Sequence, residues 1–212
     1  MKTLVFNGWA AGYEVWDLCA FRHDWVFSYI DQLDGLPERV LDDSESAVLV
    51  GFSMGGSSAL RMWLRYPDKI RGMVLISTTP RMMEQRDEGW VGMNERRLKA
   101  LRLGTRMLFG GDPSPLYDED NMDRGLAYLR RVDLRKDMLA RQPVTEMPVR
   151  ILQSERDGIV RPDNAQFLKR IFPQSEIVMV PGGEHVLPIS VPELVDSAVE
   201  GVMEELDERN SL

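Results

Sequence analysis

The sequence predicts an α/β fold in which a mainly parallel sheet of about six strands is flanked by helices and carries a short helical insertion. Its buried runs, such as Ala47–Phe52, are apolar throughout instead of alternating, which is typical of parallel strands covered on both faces. Segments with helical spacing separate these runs, as in βαβ units. Between residues 78 and 145 the strand signal vanishes. We therefore expect a core of residues 1–77 and 146–212 and a helical lid of residues 78–145.

Length and composition narrow the class of protein. The chain has 212 residues without a linker-like segment, which indicates one domain, and 43% hydrophobic residues argue against disorder. A formal net charge of −8 makes nucleic acid an unfavourable partner. Cys19 is the one cysteine, which fits a reducing compartment. The apolar runs are too short for a signal peptide or a membrane span, so we expect a cytoplasmic protein without a membrane partner.

In chain order, the first part of the sequence predicts four strands, each ended by turn residues or a loop. They are Leu4–Phe6, Trp25–Ile30, Ala47–Phe52 and Gly72–Ser77. Pro37–Leu41 is predicted as one short helix, because proline is favoured in the first turn of a helix.

The second part begins with the insertion and then returns to strands and helices. Helical spacing occurs near Asn94–Phe109 and Asp120–Ala140, on either side of a loop rich in Gly, Asp and Pro. We interpret these helices as a lid that closes over a substrate, with ordinary covering helices as the alternative. The remaining predicted elements are the strands Val149–Gln153 and Glu176–Val180 and the helices Pro162–Ile171 and Pro192–Leu206.

The motif Gly51-Phe52-Ser53-Met54-Gly55 follows a predicted strand and precedes a predicted helix. That context is typical of the G-x-S-x-G nucleophile elbow, in which a tight turn between the two elements exposes a serine hydroxyl. Side chains at Gly51 and Gly55 would collide with neighbouring backbone, and Ser53 would be strained. The alternative is a Gly/Ser-rich turn that only connects a strand to a helix.

A serine nucleophile needs a base, which in turn needs an orienting acid. The chain has two histidines, and only His185 follows a strand, whereas His23 precedes one. Active-site groups of a parallel sheet lie at the carboxyl ends of its strands, so His185 is the candidate base. The order Ser, acid, His favours Asp157 as the acid, with Glu155 as its competitor.

The loop after the first strand is expected to supply part of an oxyanion hole. The backbone N–H groups of Trp9 and Met54 are the candidates, although Asn7-Gly8-Trp9 could also be a plain turn with a core tryptophan. Together these groups predict two-step ester hydrolysis, in which an acyl group is transferred to Ser53 and then to water. This chemistry needs no metal and no organic cofactor.

These motifs resemble those of the α/β-hydrolases, and the resemblance narrows to the bacterial pimeloyl-acyl-carrier-protein methyl ester carboxylesterases of biotin synthesis. One departure is Asn7, which stands where that family usually has His. The segments that carry the resemblance are Asn7–Trp9, Gly51–Gly56, Arg86–Trp90, Gly125–Leu126, Val132–Arg135, Arg156–Val160 and Glu184–His185.

The resemblance implies a substrate pocket and a partner. Trp9, Phe52 and Ile159 would line the acyl pocket, and lid arginines would contact an acidic acyl carrier protein. Residues 81–141 hold eleven arginines and have a net charge of +2, against −10 for the remainder, which is compatible with such a partner. Solvated ion pairs are the alternative explanation for any one of these arginines. The candidates for carrier contact are Arg96, Arg97, Arg102 and Arg106.

The sequence leaves three functions open. The first is a carboxylesterase acting on a small acyl methyl ester, free or carrier-bound. The second is a carboxylesterase or C–C bond hydrolase for an unrelated small molecule. The third is a ligand-binding receptor that has kept the hydrolase fold without turnover.

Overall fold

The computed structural model describes residues 1–83, 93–141 and 143–211. Within these residues, six strands form one sheet, and each pairs in parallel with its neighbours. The strands are β1 (Lys2–Phe6), β2 (Trp25–Phe27), β3 (Ala47–Phe52), β4 (Ile70–Ile76), β5 (Val149–Ser154) and β6 (Glu176–Val180). Their order across the sheet is β2-β1-β3-β4-β5-β6. The predicted fold class is confirmed, and the carboxyl ends of the strands share one edge of the sheet.

Helices connect the strands, and two short 3-10 turns, Tyr13–Trp16 and Pro115–Tyr117, accompany them. The helices in the described part of the chain are α1 (Tyr29–Leu33), α2 (Leu36–Asp42), α3 (Met54–Arg65), α4 (Glu95–Phe109), α5 (Glu119–Arg131), α6 (Arg135–Arg141), α7 (Asp163–Ile171), α8 (Leu187–Ser190) and α9 (Pro192–Asn210). Apart from the two cases below, the predicted elements are confirmed within a few residues at their ends.

The predicted strand Trp25–Ile30 is wrong in its second half. The strand ends at Phe27, and α1 begins at Tyr29. Ser28 caps this helix: its Oγ accepts a hydrogen bond from the N–H of Asp31 (3.2 Å), and the Asp31 carboxylate accepts one from the N–H of Ser28 (2.8 Å). This reciprocal capping box satisfies two backbone donors locally and therefore favours helix over strand.

The helical segment predicted near Asp120–Ala140 is two helices. Helix α5 ends at Arg131, and α6 begins at Arg135. Between them the N–H of Leu134 donates a hydrogen bond to the carbonyl of Pro80 (3.0 Å) instead of to the preceding helical turn. The break therefore depends on a contact with a distant part of the chain.

Two apolar clusters cover the two faces of the sheet, because each strand directs alternate side chains to opposite sides. On one face Leu49 and Leu75 pack with residues of α2, α3 and α7. On the other face Val50 and Val74 pack with residues of α8 and α9. All four side chains are fully buried. Burial on both faces explains why the strand sequences are apolar throughout.

A third apolar cluster lies beyond the carboxyl edge of the sheet, beneath α4 and α5. Leu98 of α4 and Leu126 and Leu129 of α5 pack there with Met54 at the start of α3. Helix α6 packs elsewhere, since Met138 joins the cluster that contains α7. None of the helices in the described ranges has the length and apolar character needed to cross a lipid bilayer.

Candidate active site

Ser53 lies in a strained turn between β3 and α3. Its φ is 54° and its ψ is −120°, a conformation that non-glycine residues rarely adopt. A Cβ at Gly51 would lie 2.6 Å from the Cα of Gly56, and one at Gly55 would lie 2.1 Å from the carbonyl oxygen of Phe6. Only glycine fits these two positions, so the turn can pass close to β1 and present the Ser53 hydroxyl at the edge of the sheet.

The structure brings Ser53, His185 and Asp157 together although they are far apart in sequence. The Nε2 atom of His185 lies 2.9 Å from the Ser53 Oγ, and its Nδ1 atom lies 2.7 Å from the Asp157 Oδ2. Each residue follows the carboxyl end of a strand: Ser53 follows β3, Asp157 follows β5 and His185 follows β6. The parallel topology therefore creates the cluster.

Asp157 is fully buried and is held from its other side. Its Oδ1 accepts hydrogen bonds from the backbone N–H groups of Ile159 (2.8 Å) and Val160 (2.9 Å), which leaves Oδ2 for His185. The side-chain amide of Gln153 lies 3.4 Å from Oδ2 and also donates to the Val160 carbonyl (3.0 Å). These contacts fix the carboxylate and, through it, the imidazole ring.

The competing groups lie away from this cluster. Glu155 is exposed, although it follows the same strand as Asp157. His23 is also exposed and precedes β2, so it lies at the opposite edge of the sheet, where its ring packs against Phe21 with the centroids 5.7 Å apart.

The loop after β1 packs directly against Ser53. A Cβ at Gly8 would lie 3.0 Å from the Phe52 ring and 3.2 Å from the Ser53 Cβ. The backbone N–H of Met54 belongs to the first turn of α3, where helical amides have no intrahelical acceptor. Within the described ranges, neither this N–H nor that of Trp9 donates to another protein group. Two amides next to the serine are thus available to a ligand oxygen.

Asn7 holds this loop in place, a role that sequence analysis missed. Its buried side chain donates a hydrogen bond from Nδ2 to the Gly12 carbonyl (3.1 Å), and its Oδ1 accepts one from the indole N–H of Trp16. Its own carbonyl accepts a hydrogen bond from Gln32 (2.8 Å). Asn7-Gly8 indicates a turn in the sequence, and only the tertiary contacts reveal that Asn7 closes the loop.

A cavity of about 310 Å³ opens beside Ser53 and His185, and we call it the active-site cavity. Trp9, Phe52 and Ile159, the three predicted pocket residues, all line it. Its inner wall is formed by buried side chains of the segments that follow β4 and of α4 and α5, namely Met82, Met93, Leu98 and Leu129. Its mouth is marked by the exposed lining residues Glu14, Phe109 and Ile189. The cavity suits an apolar chain whose reactive end lies at the serine.

Trp9 also supports helix α5. Its indole N–H donates a hydrogen bond to the carbonyl of Met122 (3.1 Å). Its ring lies so close to Gly125 that a Cβ there would be 2.4 Å from the Trp9 Cδ1. The residue whose backbone borders Ser53 therefore also sets the position of the helix above the cavity.

The four candidate arginines fall into two groups. Arg102 pairs with Asp123 (2.6 Å) and Glu119 (3.1 Å), and Arg106 pairs with Glu119 (3.3 Å), so both connect α4 to α5. Arg96 and Arg97 are exposed.

No ion pair joins Arg96 or Arg97 to any residue of the described ranges. The motif Arg86–Trp90 lies outside those ranges. In the part of the chain that the structure describes, no group of three or more His, Cys, Asp and Glu side chains is placed to hold a metal ion.

The chain is similar to proteins of one family. A family model described as alpha/beta hydrolase family matches residues 10–198. The pimeloyl-[acyl-carrier protein] methyl ester esterase of Nitrosospira multiformis is 28% identical over 188 residues, which cover 76% of this chain and 70% of that protein. The protein of the same name from Shewanella woodyi is 27% identical over 200 residues, which cover 75% of this chain and 77% of the relative.

Solved structures share the fold at lower sequence identity. An esterase from Exiguobacterium antarcticum superposes with a TM-score of 0.73 at 16% identity, covering 96% of this chain and 92% of that one. A bromoperoxidase from Bacillus anthracis superposes with a TM-score of 0.71 at 18% identity, covering 95% and 91%.

Proposed function

The chain belongs to the α/β hydrolase family, and from this premise we propose that it is a serine carboxylesterase that hydrolyses an acyl methyl ester. The observation that carries the proposal is the pair of contacts from His185 to the Ser53 hydroxyl (2.9 Å) and to the Asp157 carboxylate (2.7 Å). A hydroxyl, an imidazole and a buried carboxylate in this order are the arrangement that serine acyl transfer requires.

In the proposed mechanism, Ser53 Oγ attacks the ester carbonyl carbon while His185 accepts the hydroxyl proton. Asp157 stabilises the imidazolium, and the N–H groups of Trp9 and Met54 donate hydrogen bonds to the oxyanion. The C–O bond to the leaving alcohol then breaks as His185 gives that oxygen its proton, which leaves an acyl group on Ser53. His185 next activates a water molecule, which releases the carboxylic acid and regenerates the serine.

For the substrate we propose a methyl ester of pimeloyl-acyl carrier protein. The two relatives described above carry that activity in their names, and the active-site cavity suits an apolar chain of this kind. The exposed guanidinium groups of Arg96 and Arg97 on α4 supply positive charge for contact with an acidic carrier. We further propose that the helices of residues 78–145 act as a lid over the cavity.

One observation favours a second candidate, a carboxylesterase or C–C bond hydrolase for a free small molecule. Arg102 and Arg106 are already paired with Asp123 and Glu119, so only part of the basic set is available to a carrier. A free ester needs no such contact. A receptor without turnover is disfavoured by the intact relay at Ser53.

Kinetics on two substrates distinguish these candidates. We expect Ser53→Ala to abolish hydrolysis of both methyl pimeloyl-acyl carrier protein and p-nitrophenyl butyrate, because the nucleophile is lost. Reversing the charge of Arg96 and Arg97 to Glu should lower kcat/KM for the carrier-linked ester about tenfold and for the free ester by much less. Arg71→Glu, at the start of β4 on the opposite edge, is the matched control and should affect neither substrate.

Three outcomes contradict parts of this proposal. Retained activity in Ser53→Ala contradicts the nucleophile. Equal losses on both substrates in the Arg96/Arg97 variant contradict the carrier contact and leave the free-ester enzyme. Failure of a well-expressed chain to restore growth of a biotin auxotroph that lacks its own methyl esterase contradicts the biotin role.

A further inference from the structure

A single carboxylate stands among the residues that line the active-site cavity. Glu14 belongs to the 3-10 turn Tyr13–Trp16, directly after the loop that contains Trp9, and its side chain is exposed at the mouth. The other lining residues of the described chain include no Asp, Glu, Lys or Arg. The mouth of an otherwise neutral and largely apolar cavity therefore carries an uncompensated negative charge.

The backbone around Glu14 keeps this charge at the mouth. A Cβ at Gly12 would lie 2.1 Å and 2.4 Å from the two Glu14 carboxylate oxygens, so the carboxylate rests against the Gly12 backbone in space that only glycine leaves. The turn itself is anchored by Val15 and Trp16, which are buried in the core. In the described ranges no cation pairs with Glu14.

The charge of Glu14 acts across the mouth as well as beside it. Tyr117, which also lines the cavity, has its pKa raised chiefly by burial and further by the negative charges of Glu14 and Asp112. A second anion entering this space would meet the same field. Repulsion between like charges is strongest where little water separates them, as at the opening of an apolar cavity.

We propose that Glu14 is a specificity-determining residue that selects acyl chains with an uncharged far end and disfavours chains that end in a free carboxylate. The inference rests on the proposed function. A carrier protein is far too large for a cavity of about 310 Å³, so a carrier-linked chain with its ester at Ser53 must leave through the mouth, past Glu14. A thioester at that point is neutral, whereas the corresponding free half-ester would place a carboxylate there.

The consequence is a filter on the state of the substrate. A dicarboxylic chain would be hydrolysed at its ester while its other end is still esterified or thioesterified. The same chain would be hydrolysed more slowly once that end is a free acid. The filter needs only like-charge repulsion and so should weaken as salt is added.

The test uses two p-nitrophenyl esters with the same seven-carbon chain. One is p-nitrophenyl heptanoate, which ends in a methyl group, and the other is mono-p-nitrophenyl pimelate, which ends in a carboxylate. We expect Glu14→Gln to lower the ratio of kcat/KM for the neutral ester to that for the anionic ester by about three- to tenfold. Added salt should lower this ratio in the unaltered chain and much less in the variant.

Asp17→Asn is the matched control. Asp17 directly follows the 3-10 turn and is exposed, but it does not line the cavity. This substitution removes the same formal charge and should leave the ratio unchanged.

An unchanged ratio in Glu14→Gln, or an equal shift in Asp17→Asn, overturns the inference while Ser53-dependent hydrolysis of both esters leaves the proposed function intact. Absence of hydrolysis of both esters by the unaltered chain contradicts both proposals.

Discussion

The two histidines of this chain offer a test at the scale of single residues. His185 contacts both Ser53 and Asp157, whereas His23 is exposed at the opposite edge of the sheet. We expect His185→Ala to lower kcat for p-nitrophenyl butyrate by about 10⁴-fold or more, because no other base contacts the serine. His23→Ala is the matched control and should change kcat less than twofold. Comparable losses in the two variants would contradict the assignment of the base.

Single residues also mark the limit of sequence analysis. Ser53, Asp157 and His185 could be predicted, because a motif, a chain order and strand ends point to them. Asn7 and Glu14 could not be, since one acts by closing a loop around Gly12 and the other by facing a cavity. Both roles depend on what the folded chain places nearby, and no local pattern records that.

Among the helices, α5 and α4 provide a matched pair of glycines. A Cβ at Gly125 in α5 would meet the Trp9 ring at 2.4 Å, whereas a Cβ at Gly104 in α4 would meet nothing within 4 Å. We expect Gly125→Ala to lower the free energy of unfolding by about 1–3 kcal/mol through overpacking and to reduce kcat/KM, because Trp9 borders the serine.

Gly104→Ala is the control for this pair. It should raise the free energy of unfolding by about 0.5–1 kcal/mol, because alanine favours the helix. Urea denaturation together with ester kinetics measures both effects. A Gly125→Ala variant as stable and active as the unaltered chain would show that the close approach of Trp9 and α5 is unimportant.

Element boundaries were predictable where the signal is local and were missed where it is not. Prolines and apolar runs located β3, β4 and α9 within a few residues. The start of α1 carries a local signal, Ser28 with Asp31 three residues later, but the apolar run from Trp25 outweighed it. The break between α5 and α6 has no comparable signal, since it depends on the hydrogen bond from Leu134 to Pro80.

For the whole molecule, the parallel sheet is what makes distant residues into one site. Ser53 and His185 are 132 residues apart in sequence, and they meet because the strands before them end at the same edge. The fold class and the cluster at that edge could therefore be predicted from strand order alone. The shape of the cavity could not, because it depends on how α4 and α5 pack on Trp9 and Met54.

The central claim, that Ser53 is the nucleophile activated by His185, is tested most directly by covalent labelling. We would treat the chain with a fluorophosphonate ester, which phosphonylates activated serines, and measure intact and peptide masses. We expect one adduct per chain, located on Ser53, absent from Ser53→Ala and formed much more slowly in His185→Ala. Ester hydrolysis with Ser53 left unlabelled, or an adduct on a different residue, would contradict the claim.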